Sequence, residues 1–231
     1  MRLVHDLLAT ESRHARIILG AHKRTLGKNS IQLGRRNRLE SEFARLSGTR
    51  ISVKGSNNLI SIGPRTRIEG CHIFISGSNN TVTIGGDATL KDAELWIEDE
   101  GNCISVGQRT KITGRTHLAA IEGTALQIGE DCLFSSSIHF TTSDSHSIVD
   151  LAGSRVNPPE SITVGDHVWI GTGVLALKGT QIASNCVIGA GSLLSGHYTT
   201  ENAVFAGRPA RLVRSKIDWH FERIPWAVDV T

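Results

Sequence analysis

The sequence predicts an all-β solenoid. Three observations carry the prediction: a 22-residue repeat in the middle of the chain, a strict six-residue rhythm in its last third, and abundant glycine with few aromatics. Glycine accounts for 24 of 231 residues, proline for 5 and aromatics for 5%, so tight turns come often and the core must be filled by Ile, Val, Leu and Ala.

The repeat begins at residue 59. LISIGP RTRIEG CHIFISGSNN is followed by TVTIGG DATLKD AELWIEDEGN and then CISVGQ RTKITG RTHLAAIEGT. The fourth residue of every block is apolar: Ile62, Ile68 and Phe74, then Ile84, Leu90 and Trp96, then Val106, Ile112 and Leu118. From residue 161 the longer blocks disappear, and SITVGD HVWIGT GVLALK GTQIAS NCVIGA GSLLSG places Val164, Ile170, Ala176, Ile182, Ile188 and Leu194 six apart. Neither a helix nor an ordinary strand has a period of six. A coil of three short flat faces does, with each face centre pointing inward and like residues stacked on like. The small residue after the inward position, as at Gly63, Gly85, Gly107, Gly129, Gly165, Gly171 and Gly189, suits a corner that a Cβ would crowd.

The ends fit less well. SIQLGR and RNRLES (30–41) read as two blocks, and TRISVKGSNN (49–58) matches CHIFISGSNN 22 residues later. The intervening EFARLSG reads as a loop. Leu3, Val4, Leu7, Leu8, Ile17 and Ile18 recur at helical spacing, which predicts a helical cap over 3–22. ARLVRSKIDWHFER, after Pro209, reads as a short helix in a tail that packs on the coils or on a neighbour. The expected division is 1–28 cap, 29–203 solenoid with an extended loop at 143–160, and 204–231 tail.

Residues 1–50 carry 11 Lys and Arg against 4 Asp and Glu, while the whole chain is only +3. This basic segment reads as a solvated cap whose charge allows weak contact with an anionic membrane surface. Nucleic acid is not expected, because no aromatic is interleaved with the basic residues. No apolar run reaches membrane-spanning length, and charge interrupts the N-terminal apolar stretch too early for a signal peptide. Cys71, Cys103, Cys132 and Cys186 form no CxxC pair, so they read as small fillers of a reduced, cytoplasmic protein.

Function is expected where the rhythm breaks. SIHFTT (137–142) should lead directly to SITVGD, yet 18 residues, SDSHSIVDLAGSRVNPPE, intervene. A loop of that length in a repeat array is usually functional. It carries His146 between Asp144 and Asp150, and Trp169 follows in the next coil, placed to point outward beside inward Ile170.

TSDSHSI, NPPESITVGDHVWIGTGVLALKGTQIASNCVIGAGSLLSG and VFAGRPARLV together resemble the hexapeptide-repeat acyltransferases, in the branch that O-acetylates sugars and polysaccharides. The six-residue pattern covers about residues 30–197, and 132–214 is the discriminating stretch. The resemblance implies a left-handed parallel β-helix and an acetyl-CoA-dependent O-acetyltransferase with no permanent cofactor and no metal. It implies His146 as general base, which takes the proton that makes a sugar hydroxyl nucleophilic. His139, His167 and His197 lack the match. An acid often orients such a histidine, and Asp144 and Asp150 are candidates, as is a backbone carbonyl. Trp169 would line the donor and acceptor cleft. Ser137, in FSSS, stands where an asparagine is frequent, which points away from a simple mono- or disaccharide acceptor, while the longer N-terminus and the ten-residue blocks at one corner resemble enzymes acting on a surface glycan or its precursor. Lys178, Ser195, Gly196, Arg208 and Arg211 would hold CoA, the cations pairing with its phosphates.

The resemblance also implies a homotrimer with active sites between subunits. Three other readings compete. An N-acetyltransferase acting on an amino sugar or antibiotic needs nearly the same chemistry. A zinc enzyme like the γ-carbonic anhydrases needs three converging histidines, and His117 and His139, one coil apart, have no third member. A non-enzymatic solenoid would lack the long loop.

Overall fold

The computed structural model describes residues 16–19, for their backbone only, and 29–226. The chain winds as a three-sided parallel β-helix. Among the described residues the strands form three sheets of nine, nine and eight, each coil giving one strand to each sheet and the antiparallel Ala210–Ser215 adding the last strand of the second. The first face is the sheet running from Arg16–Leu19 to His197–Tyr198, the second runs from Arg45–Ser47 to Ala203–Gly207, and the third from Ser30–Leu33 to Leu193–Leu194. Among the described residues no helix is long and apolar enough to cross a membrane.

The repeat becomes structure through stacked apolar columns. Ile60, Val82, Ile104, Leu126 and Ile162 stack inside the first face, and Leu46, Ile68, Leu90, Ile112, Phe134, Ile170 and Ile188 inside the second, all buried. Each such side chain contributes roughly 1.5–3 kcal/mol by leaving water. At the corners between first and second faces, consecutive coils touch. A Cβ on Gly85 would lie 2.5 Å from the Gln108 amide nitrogen, and one on Gly107 2.4 Å from the Gly129 carbonyl carbon. These glycines are required by close approach.

The GSNN repeat has a second cause. Asn58, Asn80 and Asn102 are buried where the third face turns into the first. Each side-chain oxygen accepts the backbone N–H one coil on: Asn58 Oδ1 from Asn80 (2.9 Å), Asn80 Oδ1 from Asn102 (2.7 Å) and Asn102 Oδ1 from Thr124 (2.9 Å). The ladder satisfies amides that the corner removes from the sheets.

Four expectations are corrected. Within the expected helical cap, Arg16–Leu19 is a strand paired in parallel with Arg38–Ser41; the rest of 1–28, with its proposed membrane contact, lies outside the described residues. The segment read as a loop, 42–48, contains the strand Arg45–Ser47, with Leu46 inward beside Ile68; its apolar residue was masked by the charges around it. Phe74 and Trp96 face outward, because Ile73 and Ile75, and Leu95 and Ile97, fill the inward positions two apart on their longer strands. The helix read after Pro209 is the strand Ala210–Ser215, antiparallel to Ala203–Gly207 in the second face.

Candidate functional site

The long loop leaves the third face after the strand Ile138–Thr141 and rejoins the first face at Ile162–Val164. It folds back on itself as an arm. Val149 bridges Arg155 antiparallel, and the Val156 amide donates to the Ile148 carbonyl at 2.8 Å. Asp150 caps the tip by accepting the Ala152 and Ser154 amides at 2.9 and 2.8 Å, so its Oδ1 serves a turn.

Asn157, only 6% exposed, ties the two legs together. Its Nδ2 donates to the His146 carbonyl (2.8 Å) and to Asp144 Oδ2 (2.7 Å), while its Oδ1 accepts the Ile148 amide (2.7 Å) and Arg155 Nε (3.1 Å). Arg155 continues to Glu122 on the coil below (2.5 and 3.0 Å), and Ser143 Oγ donates to the same carboxylate at 2.7 Å. These partners, Arg155 first, pull the Glu122 carboxyl down to about 2. Lys178 Nζ donates to Asp144 Oδ2 at 2.5 Å. That bond and the one from Asn157 hold Asp144 below the usual carboxylate range.

The His146 ring is exposed at the base of this arm, and no side chain or carbonyl among the described residues hydrogen-bonds it. Its backbone is clamped through Asn157 while the imidazole stays free. Asp144, a candidate to orient the ring, is engaged by Lys178 and Asn157. Its hold on His146 runs through Asn157 and the main chain.

Beneath the arm, the outward side of the third face carries a column that the repeat brings into register: His72, Glu94, His117 and His139. Glu94 bridges His72 Nδ1 (3.4 Å) and His117 Nδ1 (2.8 Å), and the His117 and His139 rings stack at 4.6 Å. Burial, then the neighbouring His117 charge, pushes the His139 pKa down. One position further along, Phe74 and Trp96 stack at 4.1 Å between centroids, and Trp96 Nε1 donates to Glu98 at 2.9 Å. An open cleft of about 370 Å³ lies here, lined by Glu94, Trp96, Glu98, His117, His139 and Ser145. Ser145 directly precedes His146, so the cleft runs up to the arm. His117 and His139 stack ring on ring, so their nitrogens do not converge, and among the described residues no group of three or more His, Cys, Asp or Glu could hold a metal ion.

The other sequence-nominated residues fall into two sets. Lys178, Ser195 and Gly196 share with His146 the corner between third and first faces. The Ser195 amide donates to Tyr198 Oη at 3.2 Å, the Gly196 carbonyl accepts Gln181 N–H at 3.1 Å, and the space around Gly196 Cα is open. Ser137, exposed at φ 57°, sits at the opposite edge of the third face, just before Ile138. Arg208 lies exposed in the turn after Ala203–Gly207, and Arg211 follows on the antiparallel strand. Trp169 points outward from the second face, 39% exposed, 3.5 Å from Ser135 Oγ. The tail crosses that face: Trp219 is buried, stacks on His167 at 4.3 Å and donates Nε1 to the His167 carbonyl at 2.8 Å, within 6.1 Å of the Trp169 ring. One chain therefore does not bring the His146 set and the Trp169, Ser137, Arg208 and Arg211 set together.

Reading the sequence missed Asn157, Arg155 and Glu122, whose partners are set by loop folding. It also missed the outward column, although intervals of 22, 23 and 22 residues from His72 through His139 follow the repeat.

Comparison with known proteins agrees with the fold. Residues 161–196 match the family model described as bacterial transferase hexapeptide (six repeats). The crystal structure of the polysialic acid O-acetyltransferase OatWY superposes with a TM-score of 0.64 at 26% identity, covering 91% of this chain and 92% of that one. The polySia-specific acetyltransferase NeuO superposes with a TM-score of 0.73 at 22% identity over 90% of this chain and 88% of that one, which speaks for the fold. In sequence, the galactoside O-acetyltransferase of Escherichia coli (strain K12) is 45% identical over 53 residues, 23% of this chain and 26% of that protein. The chain spans between 26% and 47% of the lengths of the curated relatives it matches.

Proposed function

We propose that this chain, a member of the hexapeptide-repeat acyltransferases, is an O-acetyltransferase that moves an acetyl group from acetyl-CoA to a hydroxyl of a glycan. The observation that carries the reading is the clamped arm, which presents an unengaged imidazole at the head of a polar, aromatic cleft. The O-acetyltransferases among the similar proteins support it.

In the reaction, a ring nitrogen of His146 takes the proton of an acceptor hydroxyl as its oxygen attacks the thioester carbonyl carbon. The tetrahedral oxyanion collapses, the C–S bond breaks, and the departing sulfur receives the proton from the imidazolium. The products are an acetyl ester and free CoA thiol. The Asp144–Asn157–Lys178 set holds the backbone that presents the ring, so little reorganisation is needed at the moment of reaction.

The two separated residue sets are reconciled by a closed trimer. A threefold head-to-tail arrangement sets one edge of the third face against the opposite edge of the next copy, so His146 of one subunit meets Trp169, Arg208 and Arg211 of another. The arm tip supports this reading, since Ile148, Val149, Leu151 and Val156 are all more than half exposed there. Arg208 and Arg211 would then pair with CoA phosphates, Ser195 and Gly196 would flank the pantetheine, and Ser137 would border the acceptor. Lys178 serves the arm through Asp144. The enzyme would work in the cytoplasm, where acetyl-CoA is made.

The test follows free thiol release from acetyl-CoA with neutral and acidic glycans as acceptors. Wild type is expected to transfer, with His146→Ala reduced at least about 100-fold, the lower range for general base catalysis. Equal rates in the two proteins would refute the role of His146. Mixing inactive His146→Ala subunits with inactive Trp169→Ala subunits should restore part of the activity if the site is shared between copies.

A further inference from the structure

Three features of the third face are not used by the transfer chemistry: the stacked Phe74–Trp96 pair, the two carboxylates Glu94 and Glu98 beside it, and their alignment with the arm. The strands Thr116–Ile121 and Ile138–Thr141 separate Trp96 from the arm, and Phe74 lies one coil further. At about 4.8 Å per coil the platform begins roughly 10 Å from the arm and extends to about 14 Å. That is beyond the reach of a single sugar ring held at His146 and within reach of a short chain.

The chemistry of this stretch is specific. An outward aromatic pair on a β-helix wall has no partner in the core, and the negative face of an indole or phenyl ring attracts the polarised C–H bonds on one side of a pyranose. Glu98 is fixed by Trp96 Nε1, and Glu94 by His117, which leaves carboxylate oxygens to accept hydroxyl protons along the same wall. His117 and His139 add ring nitrogens to the same wall. The positive charges packed against the stretch are few. Lys54 stands 5.9 Å from the Phe74 ring centre at the far end, Arg50 lies at the other end of the same strand in register with His72, and Arg155, in the arm, is engaged by Glu122. The cleft itself therefore presents two carboxylates, one of them bonded to His117, and no Lys or Arg.

We infer that Phe74, Trp96, Glu94 and Glu98 form a distal subsite for an uncharged oligosaccharide chain, which selects neutral glycans as acceptors and disfavours polyanionic ones such as polysialic acid. The inference rests on the transferase reading for its biological meaning, but binding tests it separately. A sialic acid unit places a carboxylate in each ring, and in this cleft it would face Glu94 and Glu98 at short range. A neutral chain would stack on Trp96 and donate hydroxyls to the same groups.

The experiment is isothermal titration of the full chain, without donor, against three tetrasaccharides: maltotetraose, chitotetraose and α2,8-linked tetrasialic acid. At least one neutral tetramer should bind, at least tenfold more tightly than tetrasialic acid. Trp96→Ala should weaken the neutral interaction at least tenfold. Glu98→Gln, which keeps the shape, should narrow the gap between neutral and sialylated ligands, and it guards against misfolding of the tryptophan variant. Equal or tighter tetrasialic acid binding, no binding of either neutral tetramer, or unchanged affinity in folded Trp96→Ala would each overturn the subsite. Thiol release from acetyl-CoA is read in parallel. Selective neutral binding without transfer to any acceptor would leave the subsite standing and remove the transferase reading. Transfer with no selectivity at Trp96 or Glu98 would do the reverse.

Discussion

Replacing Asn157 by alanine should separate the position of His146 from its chemistry. The side chain makes four hydrogen bonds, to the His146 carbonyl, Asp144, the Ile148 amide and Arg155, at 2.7 to 3.1 Å. Each ordinarily contributes about 0.5–1.5 kcal/mol, and charged partners somewhat more. The arm is exposed, so the freed carbonyl and amide regain water, and the expected loss of global stability is only about 1–2 kcal/mol. The local effect is larger, because nothing else among the described contacts fixes the backbone at 146, and at 148 only the Val156 amide also reaches across from the returning leg. Amide exchange across 144–157 should accelerate, and kcat should fall about 10- to 100-fold, with KM for acetyl-CoA changed less than threefold. Asn157→Asp is the sharper probe. It keeps the acceptor for Ile148 and Arg155 but sets a carboxylate 2.7 Å from Asp144 Oδ2 in place of a donor. Two carboxylates that close share a proton, so one of them titrates above the usual range. The repulsion is therefore present at neutral pH and relieved as pH falls, and the stability deficit of Asn157→Asp against wild type should shrink toward pH 4. Unchanged exchange in the arm together with wild-type kcat in Asn157→Ala would refute the clamp.

Other predictions follow from the same contacts. The Glu122 carboxyl is lowered to about 2 from an ordinary 4.5, so its contribution is complete above about 4.5 and is lost as pH falls toward 2. Glu122→Gln should remove that part of the acid dependence and, since solvent screens the pair, cost about 0.5–1 kcal/mol at pH 7, read by urea unfolding at several pH values. Asn80→Ala leaves the buried Asn102 amide without its acceptor and should cost about 2–3 kcal/mol in the same assay. Gly85→Ala drives a methyl group to 2.5 Å from the next coil and should cost about 1–3 kcal/mol, whereas Gly196→Ala, with open space around it, should stay within about 0.5 kcal/mol of wild type.

The parallel coils were legible because a solenoid repeats its environment. Every inward position needs the same kind of residue, every tight corner the same lack of a side chain, and every turn of the asparagine ladder the same amide, so a local pattern recurs at the period of the fold. Where the environment changed, reading failed for a physical reason. On the longer third-face strands two inward residues, such as Leu95 and Ile97, bracket an outward one, and a period counted in sixes put Trp96 inside. After Pro209 the apolar spacing of Leu212, Val213 and Ile217 suited a helix. Pairing with Ala203–Gly207 decided for a strand, because the open edge of the second face offered backbone partners that spacing alone does not reveal.

The sequence by itself determined that the chain coils, where the coil is interrupted, and that His146 lies in the interruption. Only the tertiary structure decided what holds that histidine and what lies beneath it. The arm is clamped by Asn157, Arg155 and Glu122, residues 35 positions apart at the extremes, whose contact depends on how the loop folds over the coil below. The cleft is assembled across three coils, from side chains 22 or 23 residues apart that stacking sets about 5 Å from one another. Both are products of distance in space, which a linear pattern encodes only where the repeat carries it.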